Sequence, residues 1–250
     1  MLSVIIITKN EAHNIERCLK SVQWADEIIV VDSGSTDDTI AIASQYTNTI
    51  LSTDWQGYGV QKQRALSMSK GDWVLNIDAD EEVGPELKQA ILEVMAANVA
   101  DAYRIPIRMN FYGKNLCYSS SPTRHIRLFK RDGAKYSNDV VHEKIVLPNN
   151  AEISRLSSAI THYCYQNVSH ALYKLNQYSS ATAQIRLKQD YCPTFVGVLA
   201  SAGWMFFRSY LLQRGFMDGR EGFVLAMFKM EEAYYRGVKQ IYPDKESNEL

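Results

Sequence analysis

Two short runs near the start of the chain, Ser3-Val-Ile-Ile-Ile-Thr8 and Glu27-Ile-Ile-Val-Val-Asp32, are apolar and β-branched almost without a break. A strand with one face in water alternates polar and apolar residues, so runs without alternation demand cover on both faces. Helices on either side of a parallel sheet supply that cover, and each run is followed by a segment suited to build one. After the first, Lys9-Asn10-Glu11 turns the chain and Asn14 opens a helix with apolar residues at 15, 18, 19 and 22. After the second, Ser33-Gly-Ser-Thr-Asp-Asp38 offers a tight turn and helix caps ahead of a helix over 39–46.

The pattern continues. A short strand is expected over 48–52 and a basic, polar helix over 57–69, with Lys62 and Arg64 near its start. A fourth strand, Asp72-Trp-Val-Leu-Asn-Ile77, runs straight into Asp78-Ala-Asp80-Glu81-Glu82, and Pro85 marks the first turn of a helix to Ala97. Four strand–helix alternations within the first ~100 residues predict a doubly wound, mostly parallel α/β sheet. Segments 102–111, 126–131 and 143–147 then read as strands of a mixed extension. From about Asn167 the chain reads as helices, over 168–188, 195–212 and 222–238. The expected division is a sheet domain over 1–166 and a C-terminal helical region over 167–250.

With 250 residues and 46% hydrophobic content, the chain suits one sizeable core or one core with an appendage. Lys and Arg (27) balance Asp and Glu (28), which argues against nucleic acid as a partner. Cys18, Cys117, Cys164 and Cys192 form no C-x-x-C pair, and the first residues read as a strand rather than a signal peptide, so a reducing cytoplasm is expected. The longest apolar stretch, Phe195 to Phe207, falls short of the roughly 20 residues of a membrane span, and Arg208 closes it. A buried or interfacial helix is expected there. Its aromatic and Arg neighbours suit either a packed appendage or a face on anionic lipid.

Chemistry concentrates at the ends of the strands, where open α/β sheets bind ligands. Asp78-x-Asp80 alone reads first as a solvated acidic turn, and only second as a site for a divalent cation holding a diphosphate. The first turn, Thr8-Lys-Asn-Glu-Ala-His13, has no glycine and so excludes a dinucleotide fingerprint. A dehalogenase-like phosphatase would carry its Asp-x-Asp on the first strand, and a nucleotidyltransferase would need a glycine-rich loop there.

Taken together, Thr8-Lys9-Asn10-Glu11, Asp32-Ser-Gly-Ser-Thr-Asp37 and Asp78-Ala-Asp80 resemble the three nucleotide-sugar motifs of family 2 glycosyltransferases with the GT-A fold. The resemblance implies a GT-A (Rossmann-like) mixed sheet with flanking helices, an inverting reaction, a divalent metal (Mn or Mg) and a UDP-sugar donor. Thr8, Asn10 and Glu11 would read the nucleoside, and Asp32 would accept the uracil N3–H. Asp78 would lie near the ribose and metal, Asp80 would bind the cation, and Lys62 and Arg64 would face the remaining phosphate charge, Arg64 preferred. His162 is a further candidate ligand. Glu143, with His142 second and Glu81 and Asp139 in reserve, is the expected general base toward the acceptor hydroxyl. The basic run Arg124, His125, Arg127, Lys130 and Arg131 reads either as the wet face of an edge strand or as a receiver of phosphate.

Gln61-Lys-Gln-Arg-Ala, Val141-His-Glu, His162-Tyr and Phe207-Arg-Ser-Tyr through Arg214-Gly-Phe-Met-Asp-Gly-Arg-Glu-Gly-Phe are similar to lipopolysaccharide inner-core glucosyltransferases of bacteria. That similarity implies transfer of glucose from UDP-glucose to a heptose of the lipid A–core acceptor, by an enzyme on the cytoplasmic face of the inner membrane. Another lipid-linked or capsular acceptor, or a nucleotide-sugar-binding module without catalysis, are the competing readings.

Overall fold

The computed structural model describes residues 1–119, 123–137 and 144–243. They divide into two compact units, Met1–Arg108 with Thr123–Tyr163, and Met109–Pro122 with Cys164–Leu250.

The first unit begins with β1 (Leu2–Thr8), α1 (Ile15–Val22), β2 (Glu27–Asp32), α2 (Thr39–Ala43), β3 (Thr49–Ser52) and α3 (Tyr58–Met68). It continues through β4 (Trp73–Asn76), β5 (Glu81–Glu82), α4 (Pro85–Ala97), β6 (Ala102–Phe111), β7 (Lys114–Asn115) and β8 (Thr123–Lys130). The short strands β9 (Lys135–Tyr136), β10 (Ile145–Val146), β11 (Ile153–Arg155) and β12 (Ile160–His162) follow; the last three residues of β6, and β7, belong to the second unit.

The strand order is β3-β2-β1-β4-β8-β6-β12-β5. β3, β2, β1 and β4 are mutually parallel, and β8 enters antiparallel between β4 and β6. This is the mixed sheet the sequence predicts. Alternate residues of β1 feed different cores: Leu2, Val4 and Ile6 pack with Ile15, Leu19 and Val22 of α1 and Leu87 and Ile91 of α4. Ile5 and Ile7 pack on the opposite face with Ala65 and Leu66 of α3 and with Phe129. The period-two geometry of a strand thus explains why the run had to be apolar at every position. α1 buries Ile15, Cys18, Leu19 and Val22, one stripe of its surface, and α4 ends on Asn98 in the left-handed region (φ 49°).

Three local expectations change. The strand expected over 143–147 appears in its described part as Ile145–Val146, and it pairs with β9 in a separate two-stranded ribbon rather than extending the main sheet. The helix expected over 39–46 is the single turn of Thr39–Ala43. β5 and β11, of two and three residues, were not anticipated, because so short a strand carries no periodicity.

In the second unit, α5 (Val168–Leu187), α6 (Phe195–Phe207) and α7 (Gly219–Ile241) pack together, α7 touching both of the others. Arg208 does not end α6 sharply. A π-helical turn over Arg208–Leu212 prolongs it, so Phe195–Leu212 forms one helical segment of 18 residues with mean hydropathy 1.4, of which 17% is buried. By length and composition it reaches what a membrane crossing requires, which the sequence reading denied it. Gly237 lets α7 approach α6, since a Cβ there would lie 2.5 Å from Val198.

Asp218 anchors the connection before α7. Its carboxylate accepts the backbone N–H groups of Cys117, Tyr118 and Ser119 and the Ser119 hydroxyl, while Lys114 donates to its carbonyl.

Candidate functional site

Parallel pairing brings three strand ends side by side. Thr8 lies opposite Asp32 in the β1–β2 register, and Ile5 lies opposite Asn76, so the chain leaves β4 toward Asp78 on the same edge.

The first two turns lock onto each other. Asn10 takes a left-handed conformation (φ 56°), donating its N–H to Ser35 Oγ (2.8 Å) and accepting from the Thr36 N–H (2.8 Å) on its side-chain oxygen. The Glu11 N–H donates to Thr39 Oγ1, and Glu11 Oε2 accepts from Asn14 Nδ2 (2.8 Å). Asp32 is sealed from solvent: one oxygen accepts the Gly34 and Ser35 N–H groups (2.9 Å each) and the other the Ser35 hydroxyl. Gly34, at φ 82°, permits that tight turn. The Thr8 hydroxyl is buried with no hydrogen-bond partner among the described residues, an arrangement that natural cores rarely tolerate.

The third turn is built on charge. The Glu81 N–H donates to the Asp78 carbonyl (2.9 Å), and Glu81 Oε2 accepts the Asp78 N–H (2.8 Å), closing a four-residue turn from both sides. Arg127 of β8, itself buried, donates through Nη2 to Asp78 Oδ2 and to Glu81 Oε1, 2.7 Å each. Lys62 Nζ stands 3.5 Å from Asp78 Oδ1. Desolvation pushes the Asp78 carboxyl up, but the charges of Arg127 and then Lys62 outweigh it and hold the group well below the usual carboxylate range. Glu81 goes the other way. Burial pushes it up to about 7 against the pull of Arg127, and the charge of Asp78 adds to the rise.

Asp80, third in the turn, points elsewhere. Its Oδ2 lies 2.9 Å from His162 Nε2, and its carbonyl accepts the Tyr163 N–H. β5 and β12 bring these groups together by pairing Glu81 with His162. The Tyr163 hydroxyl donates to Glu82 (2.6 Å), and the Arg17 guanidinium lies 3.6 Å over the Tyr163 ring.

The residues expected from sequence are therefore distributed unevenly. Thr8, Asn10, Glu11 and Asp32 share the two locked turns, and Asp80 and His162 share a contact. Asp78, expected beside the cation, instead faces Arg127 and Lys62. Lys62 is buried against that carboxylate, whereas Arg64, the preferred phosphate partner, is tied to Thr53, Gln61 and Asp54. α3 turns residue 62 toward the turn after β4 and residue 64 toward the loop after β3. Among the described residues no three His, Cys, Asp or Glu side chains converge as a ready cation cage. Asp80 and His162, 2.9 Å apart, offer an oxygen and a nitrogen donor of the kinds that suit Mn²⁺. His142, Glu143 and Asp139 lie outside the described residues.

Arg127 is the functional candidate that sequence reading missed. Its basic run reads as a wet strand face or a receiver of phosphate; in the structure Lys130 pairs with Asp101 and Arg131 with the Gly71 carbonyl, while Arg127 turns inward to Asp78 and Glu81. The available signal was its place in Ile126-Arg-Leu-Phe129, a charge inside a run that a central strand would bury.

Comparison with known proteins agrees with this geometry. The chain is 34% identical over 238 residues to an uncharacterized glycosyltransferase of Rickettsia bellii, covering 90% of this chain and 81% of that one. It is 30% identical over 250 residues to the lipopolysaccharide core biosynthesis glycosyltransferase LpsC of Rhizobium meliloti, covering 95% and 91%. Among solved structures, the fold resembles S. aureus TarS 1-349 in complex with UDP-GlcNAc (TM-score 0.51, 17% identity, 93% and 81% covered). The family model of glycosyl transferase family 2 matches residues 3–146, the stretch that carries all three strand-end turns, and on that match the chain belongs to this family.

Proposed function

We propose that the protein is an inverting, metal-dependent glycosyltransferase that moves glucose from UDP-glucose to a heptose of a lipopolysaccharide inner core. The observation that carries the donor half is the meeting of Thr8, Asp32 and Asp78–Asp80 at three adjacent strand ends. For the acceptor, support comes from the similarity to LpsC along nearly the whole of both chains.

In this reading the Thr8 hydroxyl, orphaned in the protein alone, bonds the base of the donor. Asp32 shapes the turn beneath the base and keeps a lone pair for the uracil N3–H. Glu11 and Asn10 border the ribose. Lys62, with Asp78 beside it, meets phosphate charge; Arg64 braces the loop that covers α3. Asp80 and His162 would hold the divalent cation, which would neutralise the charge that develops on the departing diphosphate. Glu143, with His142 next to it, takes the proton of the acceptor hydroxyl.

The same reading places the enzyme at the cytoplasmic face of the inner membrane. The 18-residue apolar segment from Phe195 leaves Val196, Trp204, Leu211 and Leu212 exposed, with Arg208 exposed within it and Arg214 exposed just beyond it. Aromatic rings with arginines favour the boundary of an anionic bilayer.

A donor screen with purified protein, Mn²⁺ and heptose-bearing core, followed by linkage analysis, tests the proposal. Glucose on heptose is the expected product. Transfer only to another lipid-linked or capsular acceptor would replace the acceptor assignment, and donor binding without transfer to any of them would favour a module that has lost catalysis.

A further inference from the structure

We propose that Arg127 is a positioning residue that holds the Asp78–Glu81 turn in shape and thereby aims Asp80 at the cation. The inference rests on the reading of that turn as the phosphate corner of the donor site.

The turn sits beyond the end of β4, where its own backbone supplies one bond, Glu81 N–H to the Asp78 carbonyl. Its two terminal side chains are both carboxylates, which repel each other and would splay the turn open. Arg127 removes that conflict by donating to both, Asp78 and Glu81, from a single nitrogen. Its place is fixed from outside the turn. β8 pairs with β4 through Leu75↔Leu128, so residue 127 lies next to the exit of β4, and β6 pins β8 on its other side. Glu81 is almost wholly buried and its second oxygen holds the Asp78 N–H, so the guanidinium, both carboxylates and the amide form one closed loop. Asp80 projects from within this loop to His162, and its direction depends on the turn being closed.

Lys62 cannot substitute. It stands on the other oxygen of Asp78, at 3.5 Å against the 2.7 Å of each Arg127 bond. A residue that merely balanced charge could be replaced by removing one carboxylate, whereas a strut could not, and this difference makes the proposal testable.

Arg127→Gln alone leaves two carboxylates facing each other in a buried place and is expected to melt lower. Arg127→Gln with Glu81→Gln restores the balance, since Asp78 keeps Lys62, and is expected to melt within a few degrees of the parent. Two measurements then decide. Hydrogen exchange of the peptide spanning 77–83, in metal-free protein, is expected to rise at least tenfold in the double variant. Mn²⁺-dependent UDP affinity by calorimetry is expected to fall at least tenfold, while UDP affinity without metal changes less than twofold. Unchanged exchange, or Mn²⁺-dependent affinity equal to the parent, overturns the proposal and leaves Arg127 as a counter-charge. If the parent itself binds UDP without regard to Mn²⁺, the donor-site reading fails instead, and the exchange result alone decides whether Arg127 holds the turn.

Discussion

His162 Nε2 lies 2.9 Å from Asp80 Oδ2 although 82 residues separate the two in the chain. The contact exists because β12 pairs antiparallel with the two-residue β5, which sets His162 opposite Glu81 and beside the preceding carboxylate. An oxygen and an imidazole nitrogen so placed are ready donors for a divalent ion. Asp80→Ala should abolish metal-dependent turnover with an unchanged circular dichroism spectrum. His162→Ala should keep turnover but raise the Mn²⁺ needed for half-activity by ~10-fold or more. Full activity of the Asp80 variant at low Mn²⁺ would remove both residues from the metal site.

The Thr8 hydroxyl makes the opposite kind of prediction, because in the protein alone it contributes nothing and costs its desolvation. Thr8→Val keeps the shape and removes the orphan, so unfolding should be unaffected or harder by about 1 kcal/mol. If the hydroxyl reads the donor base, KM for the donor should rise several-fold in the same variant while kcat holds. A variant with an unaltered KM would show that Thr8 only packs.

Asp218 governs a connection within the second unit and offers a pH test of its own. Burial pushes its carboxyl up, but bonds from the Ser119 hydroxyl and three backbone N–H groups hold it below the ordinary value. A carboxyl depressed by folding contributes stability above its unfolded pKa of ~3.9 and loses it as pH falls through the folded value. Asp218→Asn should therefore cost about 2–4 kcal/mol in urea unfolding at pH 7, since an amide cannot accept all those bonds. The gap between the two proteins should narrow below about pH 4. An equal gap at pH 7 and pH 3 would mean that the charge of Asp218 is not what holds the 117–119 segment.

The apolar segment after Thr194 gives a prediction about location. Trp204, Leu211 and Leu212 are each about half exposed, a poor arrangement in water for three large apolar side chains on one helical segment. Changing all three to Ser should leave thermal stability almost intact and release the protein from sedimenting vesicles that contain anionic lipid. Continued sedimentation of a folded triple variant would mean that another surface makes the contact.

Much of the first unit was legible before any coordinates, and the reason is local. Unbroken β-branched runs at 3–8 and 27–32 report burial on both faces, the spacing 15, 18, 19 and 22 reports a helix with one buried stripe, and short polar turns mark where the strands end. Those signals lie within a few residues of each other, so the parallel sheet, its flanking helices and the three turns followed from sequence by itself. What tertiary structure alone decided is every relationship between distant residues. Arg127 reaches Asp78 across 49 positions, Lys62 rather than Arg64 faces that same carboxylate, and His162 meets Asp80 through a strand too short to leave a pattern. Side-chain chemistry in sequence states what each group can do. Only the pairing of β8 with β4 and of β12 with β5 determined which groups are close enough to do it together.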